Sequence, residues 1–240
     1  MQEIELKEIK RDYRSNEAYK SLRTNIEFSG EDNKVLVFTS CTPNEGKSTV
    51  TLALAQSLAE AGKKVLFIDA DLRKSVLAGR YNVNGQLKGL SHFLSGQTEL
   101  GEVMYRVKDT NMVMIFAGVV PPNPAELLGG KRFESLLTSA RKAYDYVIVD
   151  APPLGSVIDA AIIARMSDAS VLVIAANTVS HKFVKVVKEQ LEKSGCPILG
   201  VVLNKVDMGQ NKYYGRYYGK YYGSYGDYGH EKEGKAEEEA

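Results

Sequence analysis

The 240-residue sequence has only two cysteines, Cys41 and Cys196, far apart and without metal-ligand spacing. That argues against a disulfide scaffold or a cysteine-held metal and suits a reducing cytosol. The three histidines, His92, His181 and His230, share no neighbourhood and receive no role. Charge of one sign is also lacking: 31 Lys and Arg against 30 Asp and Glu leave a net charge of +1, so no basic field calls for nucleic acid or an anionic membrane as partner. Met1 to Lys7 is charged throughout, and no apolar run approaches the roughly 18 residues of a membrane span. The expectation is a soluble chain. With 44% hydrophobic residues it can bury one good core, so one domain with appendages is expected.

What is present is a strand, a loop and a helix in register. Val35 to Phe38 is a buried-strand pattern, and Val50 to Ala61 is rich in Ala and Leu without Pro or Gly. Between them Thr42, Pro43, Asn44, Glu45, Gly46, Lys47, Ser48 and Thr49 read as a phosphate-binding loop. Helix N–H groups would face the phosphates, Lys47 would reach the terminal ones and Ser48 would offer its hydroxyl to Mg²⁺. Cys41 stands where the G-x-x-x-x-G-K-[ST] pattern has its first Gly, so only Gly46-Lys47-Ser48 is literal. Asn44 tolerates the unusual backbone angles that such a loop needs.

A second apolar strand, Val65 to Ile68, ends in Asp69-Ala70-Asp71-Leu72-Arg73. In extended chain, residues two apart project to the same side, which would aim Asp69 and Asp71 together into the crevice above the strands. The alternative is a helix N-cap with an ion pair to Arg73. Tyr146 to Val149 is a third such strand, ending in Asp150, which looks like the Mg²⁺-side acid of a nucleotide hydrolase. Met112 to Phe116, Val171 to Ile174 and Ile198 to Leu203 are further strands. A helix with Phe183, Val184, Val187 and Leu191 on one face joins the last two. Asn123, Pro124 and Glu126 fall at N-cap, first-turn and capping positions of a helix to about Ala140, weakened at Gly129-Gly130. This alternation predicts an α/β fold, a parallel sheet covered by helices on both faces. The last strand ends in Asn204-Lys205-Val206-Asp207, similar to the N-K-x-D of GTPases, but related ATPases meet adenine at such an Asn, so spacing leaves the base open.

Three segments are expected. Residues 1–33 are a lead-in plus a helix from Asn16 to Phe28 that carries Glu17, Lys20 and Arg23 three apart. Residues 34–208 are the phosphate-loop core. Residues 209–240 are a Tyr-Gly tail ending in a charged run, of a composition that cannot bury itself. Tyr213, Tyr214, Tyr217, Tyr218, Tyr221, Tyr222, Tyr225 and Tyr228 make eight of the chain's fourteen tyrosines. With so few basic residues among them, stacking on nucleic acid is not the preferred role.

Loop, double-Asp strand end, third-strand Asp and tyrosine cluster together resemble the bacterial tyrosine kinases of capsule and exopolysaccharide production. The resemblance covers nearly the whole chain. Leu66-Phe67-Ile68-Asp69-Ala70-Asp71 fits the family's Walker A′ motif, and Glu17, Lys20 and Arg23 fall on its E-x-x-R-x-x-R helix motif with Lys for the middle Arg. The resemblance implies a P-loop NTPase of the deviant Walker, partition-ATPase-like type that uses ATP and Mg²⁺. Lys47, Asp69, Asp71 and Asp150 would be catalytic, with Ser48, Asp71 and Asp150 on the metal side. It further implies phosphorylation of the tail tyrosines between subunits of a ring assembled through Glu17, Lys20 and Arg23. A separate membrane adaptor of the polysaccharide co-polymerase type would recruit the cytoplasmic chain to the inner face of the plasma membrane, with a cognate tyrosine phosphatase and other protein substrates as further partners. The alternatives are a partition or septum-positioning ATPase and a non-catalytic nucleotide-switched scaffold.

Overall fold

Strand order decides where the acids meet the phosphate loop. The computed structural model describes residues 1–6, 12–80 and 87–207. The chain divides into two units, Met1–Asn204 and Lys205–Ala240, and only residues 205–207 of the second are described. The eight tail tyrosines therefore lie outside the described residues. The first unit begins with β1 (Gln2–Ile4), α1 (Tyr13–Phe28), β2 (Val35–Ser40), α2 (Lys47–Glu60) and β3 (Val65–Asp69). Short helices α3 (Leu77–Arg80), α4 (Leu90–Leu94) and α5 (Leu100–Val103) lead to β4 (Tyr105–Val107) and β5 (Met112–Ile115). Then follow α6 (Pro124–Leu128), α7 (Lys131–Ala143), β6 (Tyr146–Asp150), α8 (Asp159–Ala164), β7 (Ala169–Ala175), α9 (His181–Glu192) and β8 (Ile198–Asn204).

The eight strands form one sheet in the order β1-β4-β5-β3-β6-β2-β7-β8. Strands β5 through β8 in that order are all parallel, as expected for apolar strands joined by helices. The expected parallel sheet carries one mixed edge that the sequence reading did not include: β4 runs antiparallel to β5, and β1 pairs parallel with β4. Only Lys108 to Asn111 separate β4 from β5, too few residues for a crossover, so the chain can only reverse. Thus Gln2–Ile4, expected in a lead-in, supplies an edge strand. Helix α1 starts a turn earlier than its periodicity suggested because Asp12 caps it, accepting from Ser15 N at 2.8 Å.

Alternate residues of each central strand enter two cores, the period-two consequence of a sheet covered on both faces. Val35, Val37, Leu66, Ile68, Val147 and Val149 pack with Phe133, Leu137, Ile163 and Leu191 of α7, α8 and α9. Leu36, Phe38, Val65, Phe67 and Ile148 pack with Leu52, Leu54 and Leu58 of α2 and with Ile26 of α1. Helix α2 is apolar almost all round because α1 covers the side that the sheet does not. The helix expected from Asn123 to about Ala140 is two helices broken at Gly129-Gly130; Asn123 holds the N-cap position without a side-chain cap hydrogen bond. His92 accepts from Gly89 N at 3.0 Å at the start of α4, a structural role.

Candidate active site

Three adjacent central strands, β3, β6 and β2, deliver Asp69, Asp150 and the phosphate loop to one edge of the sheet. Asp69 and Asp150 are register partners, so the two acids stand side by side at the same level. The loop turns left-handed at Asn44 (φ 67°) and again at Gly46 (φ 86°), the N-cap of α2. Gly46 makes no side-chain cap hydrogen bond to α2, as suits an anion site. Glu45, only 2% exposed, acts as an internal brace: Oε2 accepts from Thr42 N at 2.7 Å and Oε1 from Ala175 N at 3.3 Å. Gly155 is required where the chain after β6 passes the loop, since a Cβ there would lie 2.2 Å from the Cys41 carbonyl oxygen.

Lys47, in the first turn of α2, is 6% exposed and donates Nζ to Asp150 Oδ1 at 2.6 Å and to Ser48 Oγ at 3.3 Å. Asp150 Oδ2 is buried and has no hydrogen-bond partner among the described residues. An unsatisfied buried carboxylate oxygen is costly, and on a carboxylate that shares Lys47 with the Ser48 hydroxyl it suits a hydrated divalent cation. The residues present therefore fit Mg²⁺ arriving with a nucleotide. Asp69 is 1% exposed, and its carboxyl is raised to about 7. Burial is the main cause and the Asp150 charge the second; the Ser75 hydroxyl, which donates to Asp69 Oδ2, and the Lys47 charge oppose it.

The strand ends at Asp69, so Asp71 is placed by the turn that follows rather than by strand alternation, and its charge still adds to the raising of Asp69. Asp71 is half-buried in the following turn, its N–H 3.3 Å from Asp69 Oδ1, and its own Oδ1 accepts from Arg73 N at 3.2 Å and Lys74 N at 2.9 Å. Asp71 thus braces a turn rather than capping a helix, and Arg73 pairs with the distant Asp159. At the other end of the crevice Asn204 donates Nδ2 to the Glu45 carbonyl at 2.9 Å, joining the end of β8 to the phosphate loop. On α1, Glu17 and Lys20 pair at 2.7 Å, while Arg23 turns inward and donates Nη1 to Ser57 O of α2 at 2.9 Å. Glu45 as a brace, Ser75 and Asp159 were not visible in the sequence. A short apolar stretch opening with an acid, Asp159-Ala160-Ala161-Ile162-Ile163, was the one available signal of α8 and its buried carboxylate.

Fold and site together define a P-loop nucleotide-binding protein with a partition-ATPase-like sheet. Residues 34–194 match the AAA domain family. The chain is 42% identical over 216 residues to the tyrosine-protein kinase CpsD of Streptococcus agalactiae, covering 90% of this chain and 89% of the relative. The kinase domain of the Escherichia coli tyrosine kinase Etk superposes with a TM-score of 0.76 at 39% identity, over 80% of this chain and 75% of that one. The septum site-determining protein MinD of Pyrococcus horikoshii, complexed with Mg-ADP, gives a TM-score of 0.61 at 25% identity, over 71% and 69%. The chain belongs to the bacterial tyrosine kinases of the CpsD and Etk type, ATP-dependent enzymes. No helix among the described residues is long and apolar enough to cross a membrane.

Proposed function

We propose that this chain transfers the γ-phosphoryl group of ATP to tyrosines of the Tyr213–Tyr228 cluster on a neighbouring copy, and so regulates capsular or exopolysaccharide synthesis. The observation that carries the reading is a lysine in the first turn of α2 facing two adjacent buried acids, one of them titrating near neutrality. Loop N–H groups and Lys47 would bind the phosphates, and Ser48, Asp71 and Asp150 would hold Mg²⁺, which supplies charge neutralisation at the transferred group. Asp69 takes the phenol proton as the tyrosine oxygen bonds to phosphorus and the bond to the ADP oxygen breaks. Tyrosine is acidic enough, at pKa ~10, for a carboxylate base to suffice.

The Asn204 amide gives the base preference a mechanism. A backbone carbonyl can only accept, so the group that meets Glu45 O must be Nδ2, and the Oδ1 acceptor is left for the nucleotide. An acceptor suits the amino group of adenine and opposes the 6-oxo group of hypoxanthine or guanine. ATP should therefore be used with a kcat/KM about 10-fold or more above that of ITP, the cost of one mispaired buried hydrogen bond. Asn204→Ala should bring the two substrates within about threefold; equal use of both by the parent would remove Asn204 from base reading.

Ring assembly through α1 would use Glu17, Lys20 and Arg23; in the single subunit Glu17 and Lys20 pair with each other and Arg23 donates to Ser57 O of α2, so all three would exchange partners at an interface. A membrane adaptor would recruit the cytoplasmic chain, and a phosphatase would reverse the modification. Transfer between copies is tested by mixing a Lys47→Met chain with intact tail and an active chain whose eight tail tyrosines are Phe. Label should appear on the inactive chain. An unlabelled inactive chain, beside a parent that labels itself equally well at every dilution, would sink transfer between subunits.

A further inference from the structure

Asp159, the first residue of α8, is a carboxylate with 0% exposure. Both its oxygens are taken by one side chain: Arg73 donates Nε to Oδ2 at 2.8 Å and Nη2 to Oδ1 at 2.9 Å. Arg73 comes from the loop after β3 that carries Asp69 and Asp71. Within the loop, Asp71 accepts from the N–H groups of Arg73 and Lys74 and Ser75 donates to Asp69, while the backbone of Ala70, at its start, donates N–H to Asp150 O at 2.9 Å. Among the described residues, the side-chain hydrogen bonds that join residues 70–75 to a distant element are the two made by Arg73. On the other side, the segment leading into α8 is fastened to β2. Thr39 Oγ1 donates to Pro152 O at 2.8 Å and accepts from Leu154 N at 3.0 Å, and Leu154 N also lies 2.9 Å from Ser40 O.

We infer that Arg73 and Asp159 are positioning residues for phosphoryl transfer, fixing the acids of the β3 loop relative to the phosphate loop through the segment that follows β6. The inference rests on the proposed roles of Asp69 and Asp71. Its physical ground is the form of the contact. Asp159 is buried but Arg73 is 39% exposed, and an ion pair so placed is often no more stabilising than apolar side chains of the same volume, so holding α8 against the loop does not require one. A two-point fork fixes direction as well as distance, which an apolar contact does not.

The test uses the full chain with Arg73→Lys, which keeps the charge and loses the fork, and Asp159→Asn, which keeps the shape and loses the charge. Both should lower kcat for self-labelling by about 10- to 100-fold, the effect of moving reacting groups by around an ångström. The KM for ATP, the affinity for a fluorescent ADP and the unfolding temperature of Arg73→Lys should stay close to the parent, because the phosphate loop is untouched. An unchanged kcat in Arg73→Lys overturns the inference. So does a parallel fall of kcat, nucleotide affinity and unfolding temperature in both variants, the pattern of a pair that only maintains the fold. A parent that hydrolyses ATP but labels no tyrosine overturns the kinase reading instead, and kcat for hydrolysis in the same variants then decides the positioning role.

Discussion

Lys47→Met is expected to abolish tyrosine labelling, by about 10³-fold or more, and also to lower the stability of the nucleotide-free protein. The first effect follows from position: Lys47 is the cation of the loop's helix end, and loss of one preorganised charge at a phosphoryl site typically costs at least 10²- to 10³-fold. The second follows from its partner. Lys47 and Asp150 are 6% and 1% exposed, and removing one member of so buried a pair strands the other, at about 3–5 kcal/mol. An inactive variant could then be a loosened one. Lys47→Met combined with Asp150→Asn separates the two effects, because the stranded charge is gone: the unfolding temperature should recover most of its loss while labelling stays absent. If the single variant labels itself at the parent's rate, Lys47 does not serve the phosphates. If the double variant is no more stable than the single one, Asp150 is not left as a stranded charge when Lys47 is removed.

The parts of this site that the sequence displayed are those whose chemistry is local. Gly46-Lys47-Ser48 joins a buried strand to a long helix, and Asp69 and Asp150 end apolar runs, so their arrival at one sheet edge follows from parallel strands alone. Asn44 at positive φ was likewise legible, since the loop needs such a residue. Contacts closing over long sequence distances were not. Asp159 and Arg73 lie 86 residues apart, and Asn204 and Glu45 lie 159 apart, with nothing in either segment naming the other. Strand β4 escaped notice because three residues are too few for a period, and with it went the antiparallel edge of the sheet. The turn that places Asp71 was hidden for the same reason. Residues two apart share a side only while the strand lasts, and this one ends at Asp69.

Asp69→Asn should separate catalysis from stability in opposite directions. The Asp69 carboxyl is raised from 3.8 to about 7 by burial and by its neighbour Asp150, so the folded protein holds this proton more tightly than the unfolded chain does. Its contribution to stability is therefore fully present below about pH 4, declines as the pH rises towards 7, and is flat above that. Asn cannot ionise. Without nucleotide or Mg²⁺, the variant should unfold a few degrees above the parent at pH 8, and the gap should close as the pH falls towards 4. Phosphoryl transfer should move the other way, falling about 10²- to 10⁴-fold with the loss of the base. In the parent, the transfer rate should fall about tenfold per unit as the pH drops below the value at which Asp69 takes up its proton. Unfolding scans across pH 4 to 8 and initial labelling rates over the upper part of that range measure both. Equal unfolding temperatures at pH 8 would mean that Asp69 carries no burial or like-charge penalty, and a variant that labels at the parent's rate would remove it from proton transfer.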